Sequence, residues 1–172
     1  MKRIIAVFLV VLFSVSLCGC ALVKRMENSE STVEKTPENH AKAFYDKVVE
    51  SQAILDKVAT DVCATWKDAC ADYDLSTNEI NQKIEAAKKA NNDNIAKANE
   101  LDKEINSLFE KAKESTDEYM LEYAIKNAMS SYVEYKDSIL NANEALNSYG
   151  YTDIEYTKSS LDSRLRDLLV EL

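Results

Sequence analysis

Beyond Cys20 the chain contains one glycine, Gly150, and one proline, Pro37. That scarcity constrains the fold more than any motif does. Glycine supplies the positive φ of tight turns and proline presets the φ of others, so strand-rich folds and loop-built sites use both freely. A chain of 172 residues that nearly dispenses with them, and is rich in Ala, Glu, Lys, Leu and Asn, is restricted to long helices joined by short polar corners.

Seams and corners follow in order. Thr36 is placed to cap a helix whose first residue is Pro37, with Glu38 in the first turn. Ala41, Tyr45, Val48, Gln52, Leu55, Ala59, Val62, Trp66, Ala69 and Tyr73 then recur at alternating spacings of four and three. This is a coiled-coil type seam with Gln52 as its polar member, and it predicts a helix over 37–73. Ser76-Thr77-Asn78-Glu79 is a capping box, with Leu75 and Ile80 as its hydrophobic staple. The next seam is Ile80, Ile84, Ala87, Asn91, Asn94, Ala98, Leu101, Ile105, Leu108 and Ala112. It keeps its phase through the Asn91-Asn92-Asp93-Asn94 run. One continuous helix over 77–113 is therefore expected, its seam asparagines setting register at a cost in stability.

Ser115-Thr116-Asp117-Glu118 is a second box, and the phase shifts after it, which puts a corner near 114–116. The third seam runs Leu121, Ile125, Ala128, Tyr132, Tyr135, Ile139, Ala142, Leu146 and Tyr149. Gly150 stands where a C′ glycine ends a helix. Thr152-Asp153-Ile154-Glu155 is a third box, with Tyr151 and Tyr156 as its staple. It opens a last helix over 153–171, with Ile154, Leu161, Leu165, Leu168 and Leu172 on one face and Lys158 interrupting it.

Three such helices, each about 50 Å long and joined by short corners, must fold back on one another. The expected fold is all-α: an elongated antiparallel up-down-up helical bundle of three long helices plus a shorter C-terminal helix, spanning 37–172. In size and topology the three-helix portion resembles a spectrin-type repeat, a geometric likeness that carries no function.

The N-terminus is of a different kind. Lys2 and Arg3 precede an uncharged, mostly apolar run of 14 residues, Ile4 to Leu17. That falls short of the roughly 20 residues that cross a bilayer and suits the core of a signal peptide. The run by itself leaves open an ordinary signal peptide or an uncleaved anchor. Leu17-Cys18-Gly19-Cys20 follows, with Leu17 at −3, Gly19 at −1 and Cys20 at +1. Leu17 is larger than an ordinary signal peptidase prefers at −3. The stretch resembles the lipobox of bacterial lipoproteins, a resemblance that covers residues 1–20 only.

The resemblance implies that 1–19 is a signal peptide, that cleavage falls between Gly19 and Cys20, and that the Cys20 thiol carries covalent lipid such as palmitate-bearing diacylglyceryl. A lipoprotein cysteine carries two or three acyl chains, and stable anchoring takes more than one. Ala21 at +2 is not Asp. In a two-membrane bacterium this implies the outer membrane; in a one-membrane bacterium the protein would sit on the outer face of the cell membrane. Residues 20–36 are then the lipidated cysteine and a flexible tether, with a mean reach of roughly 20–25 Å.

The chain has a net charge of −9, and removing Lys2 and Arg3 with the signal peptide leaves 19 basic against 30 acidic residues, a net of −11. Such a domain is repelled by nucleic acid and by anionic lipid, so neither a nucleic-acid partner nor binding flat on a membrane is expected. The acidic residues are interleaved with lysine along the outer faces, as in a solvated helical surface.

Candidate chemistry is sparse. Cys63 and Cys70 are seven residues apart, which puts their Cα atoms about 10.5 Å apart on a helix against a limit of about 7 Å for a bridge. Either both remain thiols, or the helix breaks locally and they pair. Two cysteines without a nearby histidine do not make a zinc set. His40 is the only histidine and falls in a solvated first turn. There is no Glu-x-x-His pair for a di-metal bundle, no phosphate-binding glycine loop and no nucleophilic triad. No catalytic residue, metal or cofactor beyond the lipid on Cys20 is expected.

Seven of the nine tyrosines fall between 119 and 156. Tyr132, Tyr135 and Tyr149 lie on the seam, with hydroxyls that reach its edge. Tyr119 and Tyr123 lie off it, one turn apart. They either pack under the last helix or stand exposed as a partner-binding pair, since exposed tyrosine is enriched at recognition surfaces. Trp66 is expected in a core layer.

These features point to a non-enzymatic, membrane-anchored surface lipoprotein whose bundle contacts a protein partner or acts as a spacer in the envelope. Binding of cell-wall glycan or a small ligand through the Tyr-rich third and fourth helices is the alternative. An immunity or exclusion lipoprotein fits the size and address too. The many Ala and Asn on the seams make a thin core, which leaves a homo-oligomer open.

Overall fold

Helices form where the seams predict them, and differ from expectation at their ends. The computed structural model describes residues 37–143 and 150–172. Gly19, Cys20, the tether, the Thr36 cap and the seam positions Leu146 and Tyr149 lie outside the described residues. Among the described residues there are five helices and no strand: α1 (Pro37–Ala71), α2 (Thr77–Ala90), α3 (Asn92–Ser115), α4 (Tyr119–Leu140) and α5 (Gly150–Glu171).

α1 is the longest and touches all the others, with its heaviest packing against α3 and then α2; α4 packs chiefly on α5. Its buried face includes Ala41, Val48, Leu55, Ala59, Val62 and Ala69 from the seam, widened by Phe44, Ser51 and Val58. A two-helix seam would bury only the positions spaced four and three apart; a helix packed on several sides needs the wider stripe. Trp66 is half-buried against the core. Tyr73, expected on the seam, is instead 98% exposed. The helix stops at Ala71 because Asp72 turns the chain, its carboxylate accepting the Asp74 N–H at 3.2 Å and its carbonyl the Leu75 N–H at 3.2 Å.

The first capping box forms as read. The Ser76 hydroxyl accepts the Glu79 N–H, and the Glu79 carboxylate accepts the Ser76 N–H at 2.9 Å. The expected continuous second helix is interrupted by one residue, Asn91. Its side-chain Nδ2 donates to the Ala87 carbonyl at 3.1 Å, the acceptor its own backbone N–H would use in an α-helix. That N–H turns to Lys88 O at 3.0 Å instead, and the ladder resumes with Ile95 N–H to Asn91 O. Competition of this kind is why Asn is a weak helix former. Asn91 is buried; its Nδ2 also reaches Asp61 Oδ2 on α1 at 2.9 Å, and its Oδ1 accepts from Asn94 at 3.0 Å.

The next corner lies at 116–118, and the second capping box does not form. Ser115 remains in α3, its hydroxyl bonding the Ala112 carbonyl, and Glu118 precedes α4 without a side-chain cap. His40 is half-buried, not solvated, with Nδ1 3.3 Å from the Ser115 hydroxyl.

α4 ends at Leu140, nine residues before the expected stop, and Gly150 begins α5 instead of closing α4. Thr152 therefore lies inside a helix, not at its N-cap. The early end has a tertiary cause: the Lys88 ammonium donates to the Leu140 carbonyl at 3.0 Å and to Ala142 at 2.9 Å. α5 and α4 have 22 residues each, so the last helix is not the shorter of the two. The third seam is buried from Leu121 to Ala142, and Ile154, Leu161, Leu165 and Leu168 of the last face are buried with it.

Candidate interaction surface

Among the described residues, three places where polar groups meet apolar surroundings bear on function. Two of them hold the helices together. The third opens outward.

Tyr132 and Tyr135 are the largest fully buried side chains. The Tyr132 hydroxyl donates to Asp102 of α3 and lies 2.8 Å from the Ser51 hydroxyl of α1; Lys136 pairs with the same carboxylate. Tyr135 donates to Asp56 of α1 at 2.6 Å, Lys158 of α5 pairs with Asp56, and the Lys158 ammonium lies 5.9 Å from the Tyr135 ring centroid. Gln52, the polar seam member, donates to Asp162 of α5 at 2.6 Å. Burial comes first, then the carboxylate acceptor, in pushing both phenols well above their ordinary pKa. A neutral phenol donating to a carboxylate is a structural tie.

A cleft of about 430 Å³ lies beside the second tie, between α1 and α5. Ala59, Tyr135 and Ile154 line it with Thr60, Glu155 and Lys158, and Cys63 opens onto it. Burial, assisted by Glu155 and opposed by Lys67, pushes the Cys63 thiol up to about 11. A thiol that is protonated at neutral pH is a poor nucleophile. Cys63 and Cys70 are not joined by a disulfide. Among the described residues no cluster of three or more His, Cys, Asp or Glu could hold a metal ion, and no helix is long and apolar enough to cross a membrane.

The third place is where α4 begins and α5 ends. Tyr119 and Tyr123 are 73% and 52% exposed, so they do not pack under the last helix. Their rings stack, with centroids 6.3 Å apart and planes 16° from parallel. Met120 and Val170, 54% and 83% exposed, extend the apolar surface. A groove of about 250 Å³ runs between the helices, with Met120, Tyr123 and Asn127 on one wall and Asp167, Val170 and Glu171 on the other. Sequence reading finds the two tyrosines by their position off the seam. It misses Met120 and Val170. Val170 had a signal: Leu168-Leu169-Val170 is an apolar run wider than one helix face can bury.

Comparison with known protein families, with curated proteins and with solved structures finds no significant match for this chain.

Proposed function

We propose that this chain is a lipid-anchored bacterial surface lipoprotein, tethered through Cys20 to the cell membrane or the outer membrane, whose helical bundle acts without catalysis by contacting another protein. The observation that carries the interaction reading is the apolar surface of Tyr119, Met120, Tyr123 and Val170 left open to solvent around one groove. Exposed apolar surface that is contiguous, unlike scattered single residues, marks interaction sites. The anchor rests on Leu17-Cys18-Gly19-Cys20 at the end of the apolar run.

The up-down-up arrangement belongs to the same reading. Residues 40, 47 and 61 of α1 meet 115, 104 and 91 in falling order, which supports an antiparallel return of the chain through α3 and α2.

Two experiments test the proposal. Cys20→Ser should move the protein from the membrane fraction to the soluble fraction of its native cells; continued retention overturns the anchor. A photo-crosslinker in place of Tyr119 should yield a defined protein adduct in intact cells. Self-adducts or none would leave only the spacer role. The stacked Tyr119–Tyr123 pair favours one alternative, binding of cell-wall glycan, because sugar rings lie well on aromatic faces. Binding to purified wall, lost in the Tyr119→Ala/Tyr123→Ala variant, would replace the protein partner with this one. Nothing specific in the bundle favours an immunity role.

A further inference from the structure

We infer that the groove between the start of α4 and the end of α5 takes a cationic amphipathic helix from the partner protein. This rests on the interaction reading above and names the partner's chemistry. The shape comes first. Met120, Tyr123 and Asn127 follow one another at helical spacing along one wall, and Asp167, Val170 and Glu171 do so along the other. Two helices side by side, with Ala124 as a small residue between the walls, leave a trough whose natural occupant is a third helix. Such a helix inserts apolar side chains at i, i+3, i+4 and i+7.

Charge selects the kind of helix. The charged groups lining the trough are Asp167 and Glu171, both acidic, and no lysine or arginine lines it. Glu171 has no cationic partner among the described residues, and Asp167 has only a long contact of 3.4 Å from Arg164. A basic helix laid here would gain ion pairs at the rim and bury its apolar stripe on Met120, Tyr123 and Val170.

The same charges argue against a second copy of the chain. A two-fold contact through this trough would bring two acidic linings together, with no lysine or arginine in either. The chain's net charge of −9 would oppose the approach as well. An anionic bilayer is disfavoured for the same reason.

The test uses the folded protein with a labelled helical peptide of about 18 residues, built from Leu and Lys at amphipathic spacing. Fluorescence anisotropy should show saturable binding, and the matching Leu/Glu peptide should not bind. Met120→Ser/Val170→Ser should weaken binding by about tenfold or more, since two apolar contacts are lost. Asp167→Asn/Glu171→Gln should weaken it by several-fold at low salt and remove most of its salt dependence. The Asp93→Asn/Glu100→Gln variant, with the same charge change on exposed positions of α3, should bind like the parent.

If the α3 variant loses as much affinity as the groove variants, the binding is unspecific attraction to an acidic surface and the proposal fails. It fails equally if the Leu/Lys peptide does not bind, or if sedimentation shows a dimer that Val170→Glu dissociates. Thermal unfolding of each variant at the parent temperature confirms that only the surface was changed. Failure of the peptide alongside a defined protein adduct from position 119 would refute the partner's chemistry and leave the interaction reading standing.

Discussion

Tyr132 and Tyr135 occupy positions that the heptad pattern reserves for apolar groups, and each carries its hydroxyl to a carboxylate on another helix. The rings fill the core; the hydroxyls are satisfied at its edge. Tyr135→Phe keeps the ring and removes one donor to Asp56, so it should cost about 1 kcal/mol in urea unfolding. Asp56→Ala should cost more, since it strands both the Tyr135 hydroxyl and Lys158 in a half-buried site. The same residues govern alkaline behaviour. The thiol of Cys63, ordinarily near 9.0, and the two phenols, ordinarily near 10.0, all hold their protons longer in the folded chain than in the unfolded one. Their contribution is fully present below the unfolded pKa values. It is lost as pH rises, because the unfolded chain then releases protons that the folded chain retains. The urea midpoint should therefore hold up to about pH 9 and fall above it, and Cys63→Ala should shallow the fall between about 9 and 11. A midpoint that is flat through this range would contradict the buried placement of these groups.

At the scale of elements, two sequences that read alike as capping boxes behave differently. Ser76 and Glu79 exchange both hydrogen bonds, while Ser115 and Glu118 exchange none because α3 runs on through Ser115. Ser76→Ala is expected to lower stability by about 1 kcal/mol. Glu118→Ala should leave the melting temperature unchanged. The end of α4 makes a sharper case. Its last carbonyls are met by Lys88, which comes from α2 and not from a local glycine. Lys88→Met keeps the aliphatic stem and removes the ammonium, leaving the Leu140 and Ala142 carbonyls unmet. The expected cost is about 1–3 kcal/mol, with faster amide exchange confined to the last turn of α4. Asn91 is the counterpart inside the chain: one side chain both interrupts the helix and ties it to α1 through Asp61.

For the molecule as a whole, Thr36–Leu172 is one compact unit with its own core. A fragment beginning at Thr36 should unfold in a single cooperative transition, and separate transitions by circular dichroism and tyrosine fluorescence would contradict that. Many of the ion pairs are exposed i,i+3 or i,i+4 contacts such as Lys42–Asp46 and Lys113–Glu110. Pairs of that kind contribute little, so added salt should shift the unfolding midpoint only slightly. Salt should matter far more for binding in the acidic groove, where the proposed partner's charges have yet to be neutralised.

Helical class, the approximate placing of the helices and most of the buried residues followed from the sequence by itself. The reason is local: glycine and proline are nearly absent, and a 3.5-residue apolar repeat leaves few alternatives to a helix with one face inward. Only the tertiary structure decided the endpoint of α4, the fate of the second and third capping boxes, the burial of His40 and the exposure of Tyr119 and Tyr123. The end of α4 and the burial of His40 each involve a group far away in sequence. Lys88 reaches carbonyls 52 and 54 residues along the chain, and His40 meets Ser115 across 75. The groove is of the same kind. Its two walls come from the beginning of one helix and the end of the next, and no periodicity within either helix records that they meet.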